Sequence, residues 1–297
     1  MSEELAPLAA GGMASAVPGT PGEYFGRPTL RLTSDHCWID VLAVGGPRIV
    51  GFGFPGEGNV LGETPQASWD VGHGLYDLLG GHRLWFAPET RDCSMPDSTG
   101  LTLAAVPDAI GPAARLVGAV EAPIGLRKTF EVRLDPESAA VSVRHIVTNE
   151  GANTREISPW PITQLPLGGV ATVELAEPPT ENRSEPNQLL VMFPYASWTD
   201  SRLAIGERSL TVTATPGAPF KIGCGSTLGE VSYLREGVLF TKRFDPAVGA
   251  PHADLGSNIE IYCDDRTIEL ESLGPLVRLG PGESVTHDER WELRRVE

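Results

Sequence analysis

The sequence predicts an all-β domain built from two large, mainly antiparallel sheets packed face to face. Three observations lead there. Short segments of alternating apolar and polar residues fill most of the chain, 34 glycines and 26 prolines punctuate them, and helix signals are nearly absent. Period-two alternation marks a strand with one buried face. Turn signals every ~8–12 residues are typical of sandwiches and barrels.

The elements follow in chain order. Residues 1–24 are rich in Ala, Gly, Pro and Ser, lack periodicity, and read as a flexible tail that leaves 25–297 as a single domain. TLRLTS, CWIDVLAV, RIVGFGF, LTLAAV, RLVGAVEA, RKTFEVRL and AVSVRHIVTN each read as a strand. GVATVEL, QLLVMF, RLAIG, SLTVTA, FKIGCG, EVSYL, VLFTKRF, IEIYC, TIELESL and VRLG continue the series to roughly sixteen to eighteen strands. The best helix candidate is SWDVGHGLYDLLGG, where Trp69, Leu75, Leu78 and Leu79 share a face but internal glycines oppose a helix. No repeat of ~20–50 residues is visible, which argues against propellers and solenoids.

Composition narrows the function. Hydrophobic residues make up 41% and charged residues 21% of the 297, as in ordinary soluble proteins. No apolar run approaches the ~18 residues a membrane helix needs. The N-terminus MSEELAPLAAGGMASAV lacks the basic start of a signal peptide, so a cytoplasmic protein is expected. A net charge of −16 repels phosphate backbones and anionic lipid, so neither nucleic acid nor membrane is an expected partner. Cys37, Cys93, Cys224 and Cys263 form no C-x-x-C pair and read as buried, reduced thiols.

Two windows carry candidate chemistry. In LLGGHRLWFAPET an imidazole, a guanidinium, an indole and a carboxylate fall close together: His82, Arg83, Trp85 and Glu89. On a regular strand His82, Leu84 and Phe86 take one face while Arg83, Trp85 and Ala87 take the other. His82 and Arg83 then share a pocket only if a bulge or strand end at Gly81 relaxes the alternation. In TIELESL, Glu269 and Glu271 share a face, and two like charges there must be solvated, paired or put to use. A solvated outer face is the plainer alternative. Lys221 and Lys242 lie on strand-like segments where lysines are usually at the surface, and WPITQL groups Trp160, Thr163 and Gln164. The six histidines show no metal-binding spacing, and P-loop, Rossmann and G-x-S-x-G motifs are missing. No cofactor and no metal are expected, although Asp254 and Glu260 in HADLGSNIEIY leave a cation or a sugar hydroxyl open.

The order of these pieces resembles the galactose mutarotase-like (aldose 1-epimerase-like) superfamily. GGPRIVGFGFPGEGNVLGE is similar to its opening hairpin, VRHIVTNEG to its mid-chain strand and turn, and IELESLGPLVRLGPGESVTHDERWEL to its closing strands. GGHRLWFAPE resembles the segment that supplies a sugar contact, and the whole resemblance spans about residues 28–296. It implies a β-supersandwich and the opening and closing of a sugar hemiacetal by paired proton transfer. LES then places Glu271 at the base position. Where the family carries a histidine–proline–tyrosine stretch this chain reads EISPWPITQL, without histidine, which leaves His82 as the candidate acid. Trp85 or Trp160 would stack on a sugar face, and Arg83, Gln164 and Lys221 would bond hydroxyls or a carboxylate. The partner implied is a small sugar or sugar acid. Two further readings stay open: a sugar-binding or sensing protein without turnover, and an epimerase or lyase on a uronate-type sugar held by Arg83.

Overall fold

The computed structural model describes residues 17–94, 100–175, 186 and 188–296. All strand pairs among these are antiparallel. An 11-stranded sheet runs in the order Thr20–Tyr24, Arg27–Thr33, Trp38–Leu42, Ile49–Gly53, His82–Ala87, Arg155–Pro166, Thr267–Ser272, Ile259–Cys263, Phe220–Cys224 and Leu190–Met192, with Val277–Leu279 paired to the start of Arg155–Pro166. A 10-stranded sheet runs Leu203–Ile205, Ser209–Thr213, Val170–Glu174, Glu230–Arg235, Val238–Phe244, Ser284–Arg295, Ala140–Asn149, Leu126–Leu134, Ala113–Glu121 and Leu101–Ala104. The strands Glu63–Asp70 and Leu75–Gly80 form a separate hairpin.

Burial follows the alternation. Phe52 from the first sheet meets Phe240 and Trp291 from the second at ring separations of 6.4 and 6.1 Å, an inter-sheet core of interdigitating aromatics. The four cysteines are free and buried, as the sequence predicts. Among the described residues no helix is long and apolar enough to cross a membrane.

Two expectations need adjustment. SWDVGHGLYDLLGG is the end of the first strand, the tip and the second strand of the hairpin, not a helix: Gly72 and Gly74 take positive φ of 84° and 120°, and Val71 N–H bonds Gly74 O at 3.1 Å. The turn satisfies the backbone that a helix would otherwise have to pair. The fold also begins before residue 25, since Thr20–Tyr24 pairs with Arg27–Thr33; residues 1–16 of the expected tail lie outside the described residues.

Gly80 and Gly81 turn the chain from the hairpin into the large sheet. Their φ values are 89° and 66°, and a Cβ would come within 2.2 Å of Gly62 O at the first and 2.1 Å of Ile49 O at the second. Only glycine fits that double constraint. The bend is complete before His82, so His82–Ala87 is a regular strand.

Candidate functional site

On the outward face of the 11-stranded sheet, five neighbouring strands aim their alternate side chains into one cavity of about 210 Å³. The register sets the rows. Arg83 lies opposite Ile162, and Ile162 opposite Glu271, which pairs with Glu260. One step along, Gln164 faces Glu269, Glu269 faces Tyr262, and Tyr262 faces Lys221. Trp160 lies opposite Trp85. Strand alternation therefore brings Arg83, Trp85, Trp160, Gln164, Lys221 and Glu271 to one wall, with Glu89, Trp69 and Tyr195 at its edges.

Glu269 and Glu271 do share the outer face, but they are not solvated. Glu271 is 1% and Glu269 8% exposed. Trp160 Nε1 donates to Glu271 Oε2 at 2.6 Å, and Lys221 Nζ donates to the same oxygen at 2.9 Å. No described residue bonds Glu271 Oε1. Lys221 also forms a 2.6 Å ion pair with Glu260, so one ammonium bridges two carboxylates. Burial works against the charge of Lys221, but Glu271 and Glu260 outweigh it and hold the pKa above the ordinary lysine value. Burial pushes Glu260 well above the usual carboxylate range, against the pull of Lys221.

Arg83 stacks over Trp85, its Cζ 4.5 Å from the ring centroid, and Nη2 donates to both oxygens of Glu269 at 3.0 and 3.1 Å. Among the described residues its Nε and Nη1 are buried without a hydrogen-bond partner, as is Gln164 Nε2. Buried donors with nothing to bond are costly in a folded protein unless a ligand or water completes them. These three nitrogens belong to side chains that line the cavity and can donate to acceptors entering it. Trp85 and Trp160 pack edge to face at 5.5 Å and are largely covered, whereas Tyr195 and Trp69 expose 54% and 39% of their surface. Glu89 stands exposed at the mouth, yet the protein around its carboxyl raises the pKa, with Lys221 opposing and Glu271 adding to the shift.

His82 does not reach this cavity. It lies on the inward face, fully buried, with its ring 4.6 Å from Trp291 and 5.7 Å from Phe130 of the other sheet. The regular alternation after Gly81 is the reason: with no bulge, His82 and Arg83 must point opposite ways. The Thr163 hydroxyl donates to His82 Nδ1 at 2.9 Å, His82 Nε2–H donates to His145 Nε2 at 2.7 Å, and His145 Nδ1–H donates to the His287 carbonyl at 2.9 Å. That carbonyl can only accept, which fixes the tautomers of both neutral rings. Burial pulls the pKa of His82 well below the ordinary histidine value.

Lys242, read from sequence as a surface lysine, is fully buried beside this chain. Its Nζ pairs with Glu289 at 2.8 Å and donates to the Leu270 carbonyl at 3.1 Å and the Pro161 carbonyl at 3.2 Å. Glu289 also accepts from Ser272 Oγ at 2.5 Å and from Trp291 Nε1 at 2.8 Å. His82, His145 and Glu289 place ligand atoms within 4.8 Å of one another, the spacing of a small metal site. Here Lys242 already supplies the positive charge and each ring nitrogen facing the cluster is hydrogen-bonded, so the arrangement suits a proton-ordered brace between the sheets. In the cavity, the ammonium of Lys221 likewise occupies the place a cation would take beside Glu260.

Sequence reasoning grouped Glu89 with His82, Arg83 and Trp85 without giving it a role, and it did not place Tyr262, Tyr195 or Trp69 in a site. Tyr262 had a signal: in IEIYC it shares a face with Glu260. Glu89, Trp69 and Tyr195 come from a hairpin and loops, where no period points to the partner.

No family model matches the sequence, and no curated protein matches it. Solved structures do. A candidate mutarotase from Salmonella typhimurium superposes with a TM-score of 0.60 at 8% identity, covering 94% of this chain and 97% of that one. A candidate aldose 1-epimerase from Klebsiella pneumoniae gives 0.59 at 12% identity, covering 90% and 79%. Another from Escherichia coli K12 gives 0.53 at 15%, covering 90% and 99%. The chain has the galactose mutarotase-like fold, a β-supersandwich of two large antiparallel sheets.

Proposed function

We propose that this protein is carbohydrate-active and interconverts the anomers of a small sugar by general acid–base catalysis in the cavity around Glu271. One observation carries the reading. Two donors hold Glu271 through Oε2 and leave Oε1 without a partner among the described residues, which is how a carboxylate is presented to a ligand's hydroxyl proton. Arg83 and Gln164 offer unpaired N–H groups to sugar oxygens. Hemiacetal opening also needs a proton for the ring oxygen. With His82 in the core, Glu89 is the group suited to give it: a carboxyl at the mouth of the same cavity whose raised pKa keeps it protonated to higher pH than an ordinary glutamate. No redox cofactor enters such a reaction.

The charge balance favours a neutral sugar over a uronate. The cavity wall carries Glu89, Asp264, Glu269 and Glu271 against Arg83, Lys221 and Arg266, with Glu260 behind them. Arg83 already has its carboxylate in Glu269. Lys221, held protonated between two acids, is no base for abstracting a proton.

The test is Glu271→Gln, followed by polarimetry or exchange NMR on freshly dissolved aldoses. The amide keeps the shape but takes up no proton at neutral pH, so turnover should fall ~10²–10⁴-fold while sugar affinity stays within a few-fold. Sugar binding with no turnover in the parent protein would instead establish a sugar-binding or sensing protein.

A further inference from the structure

A second cavity of about 740 Å³ adjoins the first, and Trp69 and Glu89 line both. It lies between the tip of the Glu63–Asp70/Leu75–Gly80 hairpin and the segment after His82–Ala87, with Asp70, Thr90, Arg91 and Ser94 on its wall. Small-molecule sites usually measure ~300–1,000 Å³. The first cavity, at about 210 Å³, falls below that range and suits a single ring. The second provides the room for more.

Its lining is polar and incompletely paired. Asp70 Oδ1 accepts the Gly72 N–H at 2.7 Å, and Thr90 Oγ1 accepts the Asp92 N–H at 3.3 Å, which leaves Asp70 Oδ2 and the Thr90 hydroxyl proton without a partner among the described residues. Arg91 has no hydrogen bond or ion pair to any described residue. Trp69 is braced from behind by Tyr76, ring centroids 5.1 Å apart, and is 39% exposed. An indole held in this way offers a flat apolar surface beside polar groups, which matches the faces and rims of a pyranose. The charges, Asp70 and Glu89 against Arg91, leave the wall slightly acidic and unsuited to a phosphate or sulfate.

We infer that the site takes a reducing disaccharide, or a longer reducing oligosaccharide, whose terminal reducing ring sits over Glu271 and whose second, uncharged ring lies in the Trp69–Arg91 cavity. The inference rests on the anomer-interconverting reading of the first cavity. It also restricts the linkage. The reacting ring must keep C1 and its hydroxyl free for Glu271, so the second ring is attached through another oxygen of the reducing unit. Sugars joined through both anomeric carbons are not substrates.

Calorimetric titration of the full chain with glucose, maltose, cellobiose, lactose and melibiose tests it, alongside anomer exchange rates by NMR for the same sugars. At least one disaccharide should bind roughly tenfold more tightly than glucose, the gain expected from one added set of ring contacts. Arg91→Ala, a change outside the first cavity, should erase that advantage and leave glucose affinity within about twofold. Trp69→Ala should weaken the disaccharide more than glucose. If glucose binds and no disaccharide gains on it, or if the gain survives both substitutions, the second subsite is refuted and the first cavity's role stands. If none of the five sugars binds, the carbohydrate reading falls and the subsite with it.

Discussion

Trp160 Nε1 donates to Glu271 Oε2 at 2.6 Å, across two adjacent strands of the sheet that carries the cavity. Lys221 reaches the same oxygen at 2.9 Å from two strands further on. Two donors on one oxygen fix the plane of a carboxylate and aim the other oxygen. Trp160→Phe keeps an aromatic ring against Trp85 but deletes the donor. A hydrogen bond to a charged group contributes ~1.5–3 kcal/mol. If half or more of that serves alignment in the transition state, turnover falls about 4- to 150-fold with KM nearly unchanged. Steady-state polarimetry checks this, and an unchanged rate would mean that Lys221 alone orients the base.

Glu89 has a distinguishable signature. As proton donor it must be protonated, so activity should decline as pH rises through its elevated pKa. Glu89→Gln should remove that alkaline limb from the kcat profile and lower the plateau by ~10²-fold or more. If the limb persists in the variant, another group donates the proton.

His82 should matter to the fold and not to the sugar. His82→Ala breaks the run from Thr163 through His145 to the His287 carbonyl and opens a void beside Trp291. Leaving buried polar groups unpaired next to a cavity costs about 2–4 kcal/mol. Chemical denaturation should show that loss, while titration of the folded variant should find sugar affinity within about twofold. A folded variant that had lost binding would show that His82 reaches the ligand after all.

Much of this was legible as parity. Period-two alternation placed Arg83 and Trp85 on one face and His82 on the other, and it paired Glu269 with Glu271 on one side of their strand. The bulge that would have reunited His82 with Arg83 was the wrong allowance, because Gly80 and Gly81 spend their freedom on the bend before the strand. Parity also puts Lys242 beside Phe240 and Phe244, and Glu289 beside Trp291, on buried faces. What parity lacks is the partner. A lysine and a glutamate in separate strands look like two surface charges until the sheets stack and join them at 2.8 Å. Glu89 and Tyr195 follow strand ends and loops, whose course depends on tertiary packing rather than on any local period. The same limit explains why 68–81 stood as the best helix candidate despite its glycines, since an apolar face at 69–79 fits a hairpin as well once Gly72 and Gly74 make the turn.

The buried histidines predict an acid-sensitive fold with a definite sign. Burial lowers His287 to about 3, against an unfolded value near 6.5. Between those values the unfolded chain binds a proton that the folded chain refuses, so stability falls as pH falls, by about 1.4 kcal/mol per unit for one group. Burial shifts His82 and His145 in the same direction. For Glu289 burial acts upward, but Lys242 and the neighbouring histidines outweigh it and hold the carboxylate below its usual range, which also loses stabilisation on acidification. Glu260 and Glu269, raised by burial, oppose the trend because they bind protons more readily when folded. A difference measurement removes these common contributions. His287→Gln retains a donor for Ser272 Oγ, now 2.9 Å from His287 Nε2, but has nothing to titrate. Between pH 6.5 and pH 5 the variant should lose about 2 kcal/mol less stability than the parent, read from denaturant midpoints at each pH. Parallel slopes for the two proteins would mean that His287 carries its proton in the folded state.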